Sequence, residues 1–246
     1  MSPATKRTIV VAGGSSASGI NTAAAFSQAG FKVYTVGSNR DRIAAAASQA
    51  GAEVVAKTCD LSDFAAVQKL GAEILAEAGR IDGLMHLVGG WRGGKTLAEQ
   101  SDEDWDFLHR QCVGTLRNTS RAFYSALVDT GGRFAIISST ALETPTAGGA
   151  NYNAAKAAAE VWTQGVAQGF GQEAGGQDHG QAAATIFRVK ALLDNDMIAA
   201  HPERKFPGFT HVAQVAQSAV GLFDQAAEDV NGRTITLPAH TDLSPH

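Results

Sequence analysis

Three side chains in this sequence could exchange a proton with a substrate oxygen: Ser139, Tyr152 and Lys156. Tyr152 and Lys156 are four positions apart, so on a helix they would lie on one face about one turn from each other. A lysine ammonium close to a phenol stabilises its deprotonated form, which lets a tyrosine serve as a general acid or base near neutral pH. A serine hydroxyl from a neighbouring segment could hold the reacting oxygen. A Tyr-x-x-x-Lys pair also arises by chance, so this interpretation depends on the elements around it.

A glycine- and serine-rich turn near the N-terminus has the composition of a phosphate site. It follows the apolar, β-branched run 8–12, which predicts a strand, and it precedes 20–28, which predicts a helix. In a strand–turn–helix unit, such a turn brings backbone N–H groups and hydroxyls close to a pyrophosphate. An ordinary connecting turn is the alternative, but this turn opens the first βαβ unit of the chain. The expected pyrophosphate ligands are Gly13, Ser15, Ser16, Ser18 and Gly19.

Length and composition restrict the class of protein. The chain has 246 residues, 44% of them hydrophobic and 18% charged, which suits one large α/β domain over residues 1–246. A net charge of −4 argues against a basic nucleic-acid surface. Cys59 and Cys112 are too few for a disulfide framework, and no Cys-x-x-Cys or His-Glu-x-x-His motif indicates a metal. The pattern shows no signal peptide or membrane span, so we expect a cytoplasmic protein with neither nucleic acid nor membrane as partner.

Strand-like and helix-like segments alternate along the chain. The predicted strands cover 8–12, 32–36, 53–57, 83–88, 133–138, 184–189 and 234–237. The predicted helices cover 20–28 and 41–50, begin near 62 and near 101, and cover 151–173. The helix from 101 is expected to place Trp105, Leu108, Cys112, Leu116 and Phe123 on one apolar stripe. Such alternation predicts a doubly wound parallel sheet of about seven strands with helices on both faces.

Two stretches interrupt this alternation. Residues 171–181 are polar and rich in glycine, which is typical of a surface loop. Residues 190–210 follow the carboxyl end of a strand, where ligands bind in such sheets, and are expected to form a substrate loop or lid. A plain connection is the alternative for both. Trp91 and Leu142 would give the substrate pocket a partly apolar character.

Together, these motifs resemble the short-chain dehydrogenase/reductase family over nearly the whole chain. The family's Thr-Gly-x-x-x-Gly-x-Gly turn corresponds to Ala-Gly-Gly-Ser-Ser-Ala-Ser-Gly at 12–19. Ser139 stands thirteen positions before Tyr152, as in the family, and Asn-Tyr-Asn-Ala-Ala-Lys-Ala at 151–157 follows its active-site stretch. The turn combined with the Ser–Tyr–Lys spacing is a specific pattern, whereas either piece alone would be weak.

The resemblance implies a Rossmann fold and an NAD(P)-dependent oxidoreductase that reduces a small-molecule carbonyl, or oxidises the alcohol, by hydride transfer. Tyr152 would donate the proton, Ser139 would hold the reacting oxygen, and Lys156 would also grip the nicotinamide ribose. Further cofactor contacts would come from Asp60, Leu61, Val88 and Gly89, with Asp60 and Leu61 beside the adenine.

The sequence also departs from the family. The Asn-Asn-Ala-Gly after the fourth strand is replaced by His-Leu-Val-Gly at 86–89, and the Pro-Gly after the sixth strand by Lys-Ala at 190–191. The asparagine that completes the catalytic tetrad falls on Gln111, whose main chain could still hold a water. His86 is interpreted as a core histidine, with a proton-relay role as the alternative. These departures leave open a catalytically weak or inactive NAD(P)-binding sensor or structural protein.

The segment after the second strand bears on the choice of nicotinamide cofactor. A carboxylate there would mark NAD, because it binds the adenosine ribose hydroxyls, and a basic residue would mark NADP. No carboxylate ends this strand, and Ser38 and Arg40 could bind the extra phosphate. Arg40 could instead be a solvated helix-start residue beside Asp41. The pattern therefore favours NADP over NAD.

The family resemblance also implies self-association. Members are often tetrameric, with the helices that correspond here to 101–127 and 151–173 paired across a two-fold axis. We therefore expect a homotetramer or homodimer. Trp162 and Phe170 could supply apolar contacts between copies, or could belong to the core.

Overall fold

The computed structural model describes residues 6–173 and 181–240. Its strands are β1 Thr8–Ala12, β2 Lys32–Gly37, β3 Val55–Thr58, β4 Gly83–His86, β5 Arg133–Ser139, β6 Ala183–Val189, β7 Leu192–Leu193, β8 Thr210–His211 and β9 Thr234–Thr236. Seven of them form a parallel sheet in the order β3-β2-β1-β4-β5-β6-β9. The remaining two, β7 and β8, pair in parallel with each other.

The helices connect these strands and cover both faces of the sheet. They are α1 Ala17–Gln28, α2 Arg40–Ala50, α3 Phe64–Ala78, α4 Asp102–Leu108, α5 Thr115–Thr130, α6 Ala150–Glu173, α7 Asn195–Ala200, α8 Val212–Gly221 and α9 Ala227–Val230. Within the described part of the chain, no helix is long and apolar enough to cross a membrane.

The two halves of the core follow from the two-residue repeat of the strands. On β1, Ile9 and Val11 face the layer built by α1, α2 and α8, while Val10 faces the layer built by α3, α5 and α6. Phe26 fills the first layer and Phe123 fills the second, and both are fully buried. Because both faces are covered, the central strand β1 is fully buried and apolar from Ile9 to Ala12.

The strand order reverses at β1 and β4, and this reversal positions the site. Chain connections leave β1 toward one edge of the sheet and leave β4 toward the other, so the loops after these strands diverge. Ala12 and His86, the last residues of β1 and β4, lie opposite each other. A crevice therefore opens at the carboxyl ends of the central strands, where doubly wound sheets bind their ligands.

The structure confirms the doubly wound parallel sheet and adjusts some of its elements. The expected single helix from 101 is interrupted by a π-helical segment, His109–Gly114, between α4 and α5. Trp105 does not lie on the buried stripe: 41% of it is exposed, and its ring packs on that of His109 at 4.1 Å. Of the polar stretch 171–181, positions 174–180 lie outside the described residues.

Candidate active site

The end of β5 and the start of α6 carry the three residues expected to do the chemistry. Ser139 is the last residue of β5, and Tyr152 and Lys156 lie on the first two turns of α6. The Lys156 ammonium donates a 2.8 Å hydrogen bond to the carbonyl of Ile137, two residues before Ser139. The same nitrogen lies 5.9 Å from the centre of the Tyr152 ring. A buried ammonium is thereby fixed against the strand that carries the serine and close to the phenol.

The Ser139 hydroxyl has one defined partner. Its Oγ accepts a 3.1 Å hydrogen bond from the backbone N–H of Ala141, which caps the short 3₁₀ turn Thr140–Leu142. A hydroxyl that accepts one bond can still donate its proton, so Ser139 can donate to a substrate oxygen. Ser138 differs, because its buried Oγ finds no hydrogen-bond partner among the described residues.

The start of α6 is held in place by the segment before α4. The backbone N–H of Asn151 donates to the side-chain oxygen of Gln100 at 3.1 Å, and its side-chain amide donates to the carbonyl of Ser101 at 3.0 Å. The Gln100 amide also donates to the carbonyl of Gly148 at 3.0 Å. These contacts fix the first turn of α6, and therefore the position of Tyr152.

The π-helical segment places Gln111 at the crevice. This residue lines the cleft, and its backbone carbonyl accepts a 2.6 Å hydrogen bond from the Thr115 hydroxyl. Cys112, on the same segment, packs with Tyr152 and Ala155 on α6. Single π-helical turns are rare inside α-helices and occur frequently at functional sites. The segment therefore links the crevice to the face of α6 that carries Tyr152.

His86 lies fully inside the core between two threonine hydroxyls. Its Nε2 lies 3.3 Å from the Thr115 hydroxyl, and its Nδ1 lies 3.0 Å from the Thr119 hydroxyl. The Thr115 hydroxyl also donates to the Gln111 carbonyl, and the Thr119 hydroxyl also donates to the Thr115 carbonyl. Each threonine proton therefore has a backbone acceptor, and a neutral ring can donate to one of the two hydroxyls only. Burial, with a smaller effect from the Lys156 charge, lowers the pKa of His86 from 6.5 to about 3. The ring is therefore neutral, as expected of a core histidine, and its polar neighbours are the two threonine hydroxyls.

This depressed pKa predicts that His86 weakens the fold in acid. In the unfolded chain the ring binds a proton below its ordinary pKa of about 6.5, whereas the folded state resists protonation until about 3. The free energy of unfolding should therefore fall as the pH drops below about 6.5, by about 2 kcal/mol at about pH 5 from this group alone. The His86→Asn variant lacks this titration and should lose less stability. Urea unfolding at about pH 7 and about pH 5 measures the difference, and equal losses in both proteins would contradict it.

The glycine-rich turn after β1 is packed so closely that a side chain could not be added at Gly13 or at Gly19. Gly13 has φ +85°, and a Cβ there would come within 2.9 Å of the Leu87 and Val88 backbone. A Cβ on Gly19 would lie 2.5 Å from the Gly13 carbonyl. Ser16 caps α1 by accepting from the Gly19 N–H at 3.1 Å, and its hydroxyl lies 3.1 Å from that of Ser18. The first turn of α1 contains no acidic residue, so its positive dipole end is free to attract an anion.

A cleft of about 170 Å³ lies beside this turn, over the ends of β1, β2 and β3. The sequence-predicted residues that line it are Gly13, Ser15, Ser38, Asp60, Leu61, Val88 and Gln111. The Asp60 carboxylate accepts from the Ser62 hydroxyl at 2.7 Å and from its N–H at 2.9 Å, and these bonds lower the pKa of Asp60. Burial raises the pKa of Cys59, which also lines the cleft, to about 11, so this thiol stays protonated.

Arg42 lines this cleft, and sequence reasoning missed it. Asn39 caps α2 by accepting from the Arg42 N–H at 2.9 Å, so the helix begins at Arg40. Arg40 is exposed and is not among the lining residues. Asn39 sets the start of α2, and Arg42, two positions after Arg40, is the arginine that lines the cleft. The capping asparagine was the signal that could have identified Arg42.

Residues 190–210 form a folded excursion that contains β7 and α7 and ends in β8. The Lys190 ammonium donates to the Pro207 carbonyl at 3.0 Å, and the Thr210 N–H donates to the Ala191 carbonyl at 2.9 Å. Asp194 caps α7 by accepting from the Met197 N–H at 2.8 Å. The excursion therefore has its own hydrogen bonds where a substrate loop is expected. Trp91, 66% exposed, lies on the loop after β4.

Comparison with known proteins decides the family. The profile described as short chain dehydrogenase matches residues 7–174, which is more than half of the chain. The chain belongs to the short-chain dehydrogenase family. The resemblance inferred from the glycine-rich turn and the Ser–Tyr–Lys spacing is thereby confirmed.

Two bacterial proteins illustrate the similarity of this chain to known sequences. The NADP-dependent 3-hydroxy acid dehydrogenase YdfG of Salmonella typhi is 29% identical over 150 residues, 61% of this chain and 60% of that protein. An uncharacterized oxidoreductase of Mycobacterium tuberculosis, Rv0484c, is 37% identical over 153 residues, 61% of this chain and 58% of that protein. The matches thus span about 60% of the length of these relatives.

Solved structures of short-chain dehydrogenases show the same fold. One from Mycobacterium ulcerans superposes with a TM-score of 0.82 at 24% identity, covering 94% of this chain and 87% of the other. A metagenomic short-chain oxidoreductase in complex with NADP has a TM-score of 0.76 at 23% identity, covering 96% of this chain and 98% of the other. At these identities the likeness shows the architecture alone.

The crevice of this short-chain dehydrogenase fits the dinucleotide that its fold family implies. The glycines Gly13 and Gly19 let the turn pack backbone against backbone, and Gly13 and Ser15 of this turn line the cleft. Gly89 extends this glycine surface toward the Lys156 ammonium, since a Cβ there would lie 3.5 Å from Nζ. No group of three or more His, Cys, Asp or Glu residues suited to a metal occurs within residues 6–173 and 181–240.

Proposed function

We propose that the protein is an NAD(P)-dependent oxidoreductase that reduces a carbonyl group, or oxidises the corresponding alcohol, with Ser139, Tyr152 and Lys156 as its active site. The observation that carries this proposal is the anchoring of Lys156. Its ammonium is bound to the Ile137 carbonyl, on the strand that ends in Ser139, and lies beside the Tyr152 ring. Membership in the short-chain dehydrogenase family supports the same chemistry.

The cofactor in this proposal is held by the glycine-rich crevice. The turn with Gly13, Ser15, Ser16, Ser18 and Gly19 holds the pyrophosphate at the N-terminus of α1. Asp60 and Leu61 lie beside the adenine, and Val88 and Gly89 lead toward the nicotinamide end. When bound, the nicotinamide ring supplies or accepts the hydride.

Each active-site side chain has one task at the reacting oxygen. In the reducing direction Tyr152 donates its phenolic proton to the carbonyl oxygen, and in the oxidising direction it takes the proton back. Ser139, whose proton is free to donate, hydrogen-bonds the oxygen as charge develops on it. Lys156 stabilises the phenolate form of Tyr152 through its charge. Gln111 lies on the π-helical segment at the crevice, where its backbone carbonyl accepts from the Thr115 hydroxyl.

We infer that the preferred cofactor is NADP and that Ser38 and Arg42 bind its extra phosphate. Both line the cleft past the end of β2, and no carboxylate ends that strand to bind ribose hydroxyls. The similar dehydrogenase of Salmonella typhi is NADP-dependent by name, which supports this preference.

The cofactor assignment predicts a selective loss of NADPH binding on changing Arg42. Because a guanidinium contributes charge-assisted hydrogen bonds to a phosphate, Arg42→Gln should raise the dissociation constant of NADPH about 10- to 100-fold and leave that of NADH unchanged. Quenching of tryptophan fluorescence during titration with each cofactor measures both constants. Arg40→Gln is the matched control and should bind NADPH normally. An equal loss of NADPH and NADH affinity in Arg42→Gln would contradict the assignment.

We also propose that residues 1–246 act as one domain, with 190–210 as the substrate loop.

We further propose that copies of the chain associate through α5 and α6. A groove of about 1000 Å³ runs between these helices, lined mainly by apolar and small side chains, and Val161 there is 73% exposed. Trp162 lines the groove, whereas Phe170 is buried in the core. Sedimentation equilibrium tests this proposal, because a monomer at micromolar concentration would contradict it.

A further inference from the structure

Arg188 joins two elements of the proposed active site. On β6 it pairs in register with Ser138 of β5, one residue before Ser139. Its guanidinium donates to both oxygens of Glu160, from Nε at 2.8 Å and from Nη2 at 2.6 Å. Its Nη1 lies 3.4 Å from the carboxylate of Glu143. The bond to Glu160 raises the pKa of Arg188 further, so the guanidinium stays charged.

The two carboxylates, Glu143 and Glu160, lie on either side of Tyr152 and Lys156 along the chain. Glu160 is one helical turn after Lys156 on α6, so the two side chains share one face of the helix. Glu160 is 9% exposed and Lys156 is 7% exposed, and charges at such depth are only weakly screened by solvent. Glu143 follows the 3₁₀ turn that Ser139 caps. Arg188 thus connects the helix of Tyr152 and Lys156 with the segment that begins at Ser139.

We propose that Arg188 is a positioning residue that occupies the Glu160 carboxylate and so preserves the Lys156 charge for Tyr152. A bidentate arginine both fixes and neutralises a carboxylate. Without it, a buried anion one turn away would be left to pair with the Lys156 ammonium. That pairing would offset the positive charge beside the phenol and draw the ammonium away from the Ile137 carbonyl. This inference rests on the proposed Ser–Tyr–Lys function.

Several other titratable groups surround Lys156 and must be compared with Glu160. His86 of β4 is neutral because its pKa is lowered to about 3. Cys112 lies next to the same glycine as the ammonium, and Tyr152 is the group that Lys156 acts on. Glu143 lies further out, with 61% of its side chain exposed. Glu160 is therefore the buried carboxylate nearest to Lys156 along α6 among the described residues.

The pH dependence of alcohol oxidation distinguishes an effect of Arg188 on the Lys156 charge from a purely structural role of Arg188. Alcohol oxidation needs a deprotonated general base, so kcat should rise with pH along one limb of the pH profile. In Arg188→Gln that limb should move about one pH unit higher, because the unpaired Glu160 carboxylate offsets the Lys156 charge. At pH values on the rising part of the limb, kcat of the variant should then be about tenfold lower than that of the wild type. In Glu160→Gln the limb should move to lower pH. The double variant Arg188→Gln/Glu160→Gln should return close to the wild-type limb, since both charges are gone.

The controls distinguish failure of this inference from failure of the proposed function. Arg233→Gln, which removes an exposed arginine before β9, should leave the limb unchanged. If Tyr152→Phe is inactive but the limb of Arg188→Gln matches the wild type, Arg188 does not act through Glu160. If the pH limb of the double variant is shifted as far from the wild type as that of Arg188→Gln alone, a structural role of Arg188 explains the effect and the inference is wrong. A fully active Tyr152→Phe would instead overturn the proposed function.

Discussion

Replacing Tyr152 with phenylalanine is expected to reduce turnover by about 10²- to 10⁴-fold, the range that a positioned general acid contributes. The substitution removes the proton donor and keeps the ring that packs with Cys112 and Ala155. NADPH binding should therefore stay close to normal. Steady-state kinetics with a carbonyl substrate, together with a fluorescence titration of NADPH, measures both quantities on one preparation.

Tyr124→Phe is the matched control for this variant. Tyr124 lies on α5 and lines the groove between α5 and α6, so loss of its hydroxyl should leave turnover nearly unchanged. A Tyr152→Phe enzyme that keeps wild-type turnover would show that another group donates the proton. A variant that loses turnover only because it no longer binds NADPH would show that the phenol serves the cofactor rather than the substrate.

Replacing Ser139 with alanine is expected to reduce kcat by about 10²- to 10³-fold, as found for single donors to a developing oxyanion. The Ser139 hydroxyl accepts from Ala141 and keeps its own proton for the substrate oxygen. The effect should fall on kcat more than on KM, because the hydrogen bond strengthens as charge develops in the transition state. Michaelis–Menten kinetics with a saturating cofactor measures the two parameters.

The neighbouring serine supplies an internal control for this prediction. Ser138 is equally buried, but its Oγ lacks a hydrogen-bond partner among the described residues. Ser138→Ala should therefore retain activity and be at least as stable as the wild type. Equal losses of kcat in Ser138→Ala and Ser139→Ala would indicate damage to the end of β5 rather than loss of a catalytic hydroxyl.

Periodicity and turn chemistry predicted most of the sheet. The run Thr8–Ala12 was predicted with its observed bounds, because a buried parallel strand is a short apolar run followed at once by glycine. The interruption of the helix after 101 was not predictable in this way. The π-helical turn at His109–Gly114 changes the hydrogen-bond register without a proline or glycine at its centre, so the sequence pattern contains no local sign of it.

The site was predictable where it depends on the spacing of residues along the chain. It was less predictable where it depends on which way a helix faces, or on contacts between residues far apart in sequence. Tyr152 and Lys156 share a helical face by spacing alone, and the family resemblance supplied Ser139. Arg42 could be chosen over Arg40 only once the first residue of α2 was known. Successive side chains on a helix are rotated by about 100°, so the first residue decides which direction each later side chain faces. The pair of Arg188 with Glu160 joins residues 28 positions apart, and only the packing of β6 against α6 brings them together.

Transfer of deuterium tests the central claim most directly. The protein is incubated with NADPH carrying deuterium at C4 of the nicotinamide and with a panel of aldehydes and ketones, and the alcohol products are analysed by mass spectrometry. Our account predicts deuterium on the carbinol carbon of at least one product in the wild type, and loss of that product in Tyr152→Phe. Tight NADPH binding without labelled alcohol across the panel would contradict the account and would favour a cofactor-binding sensor.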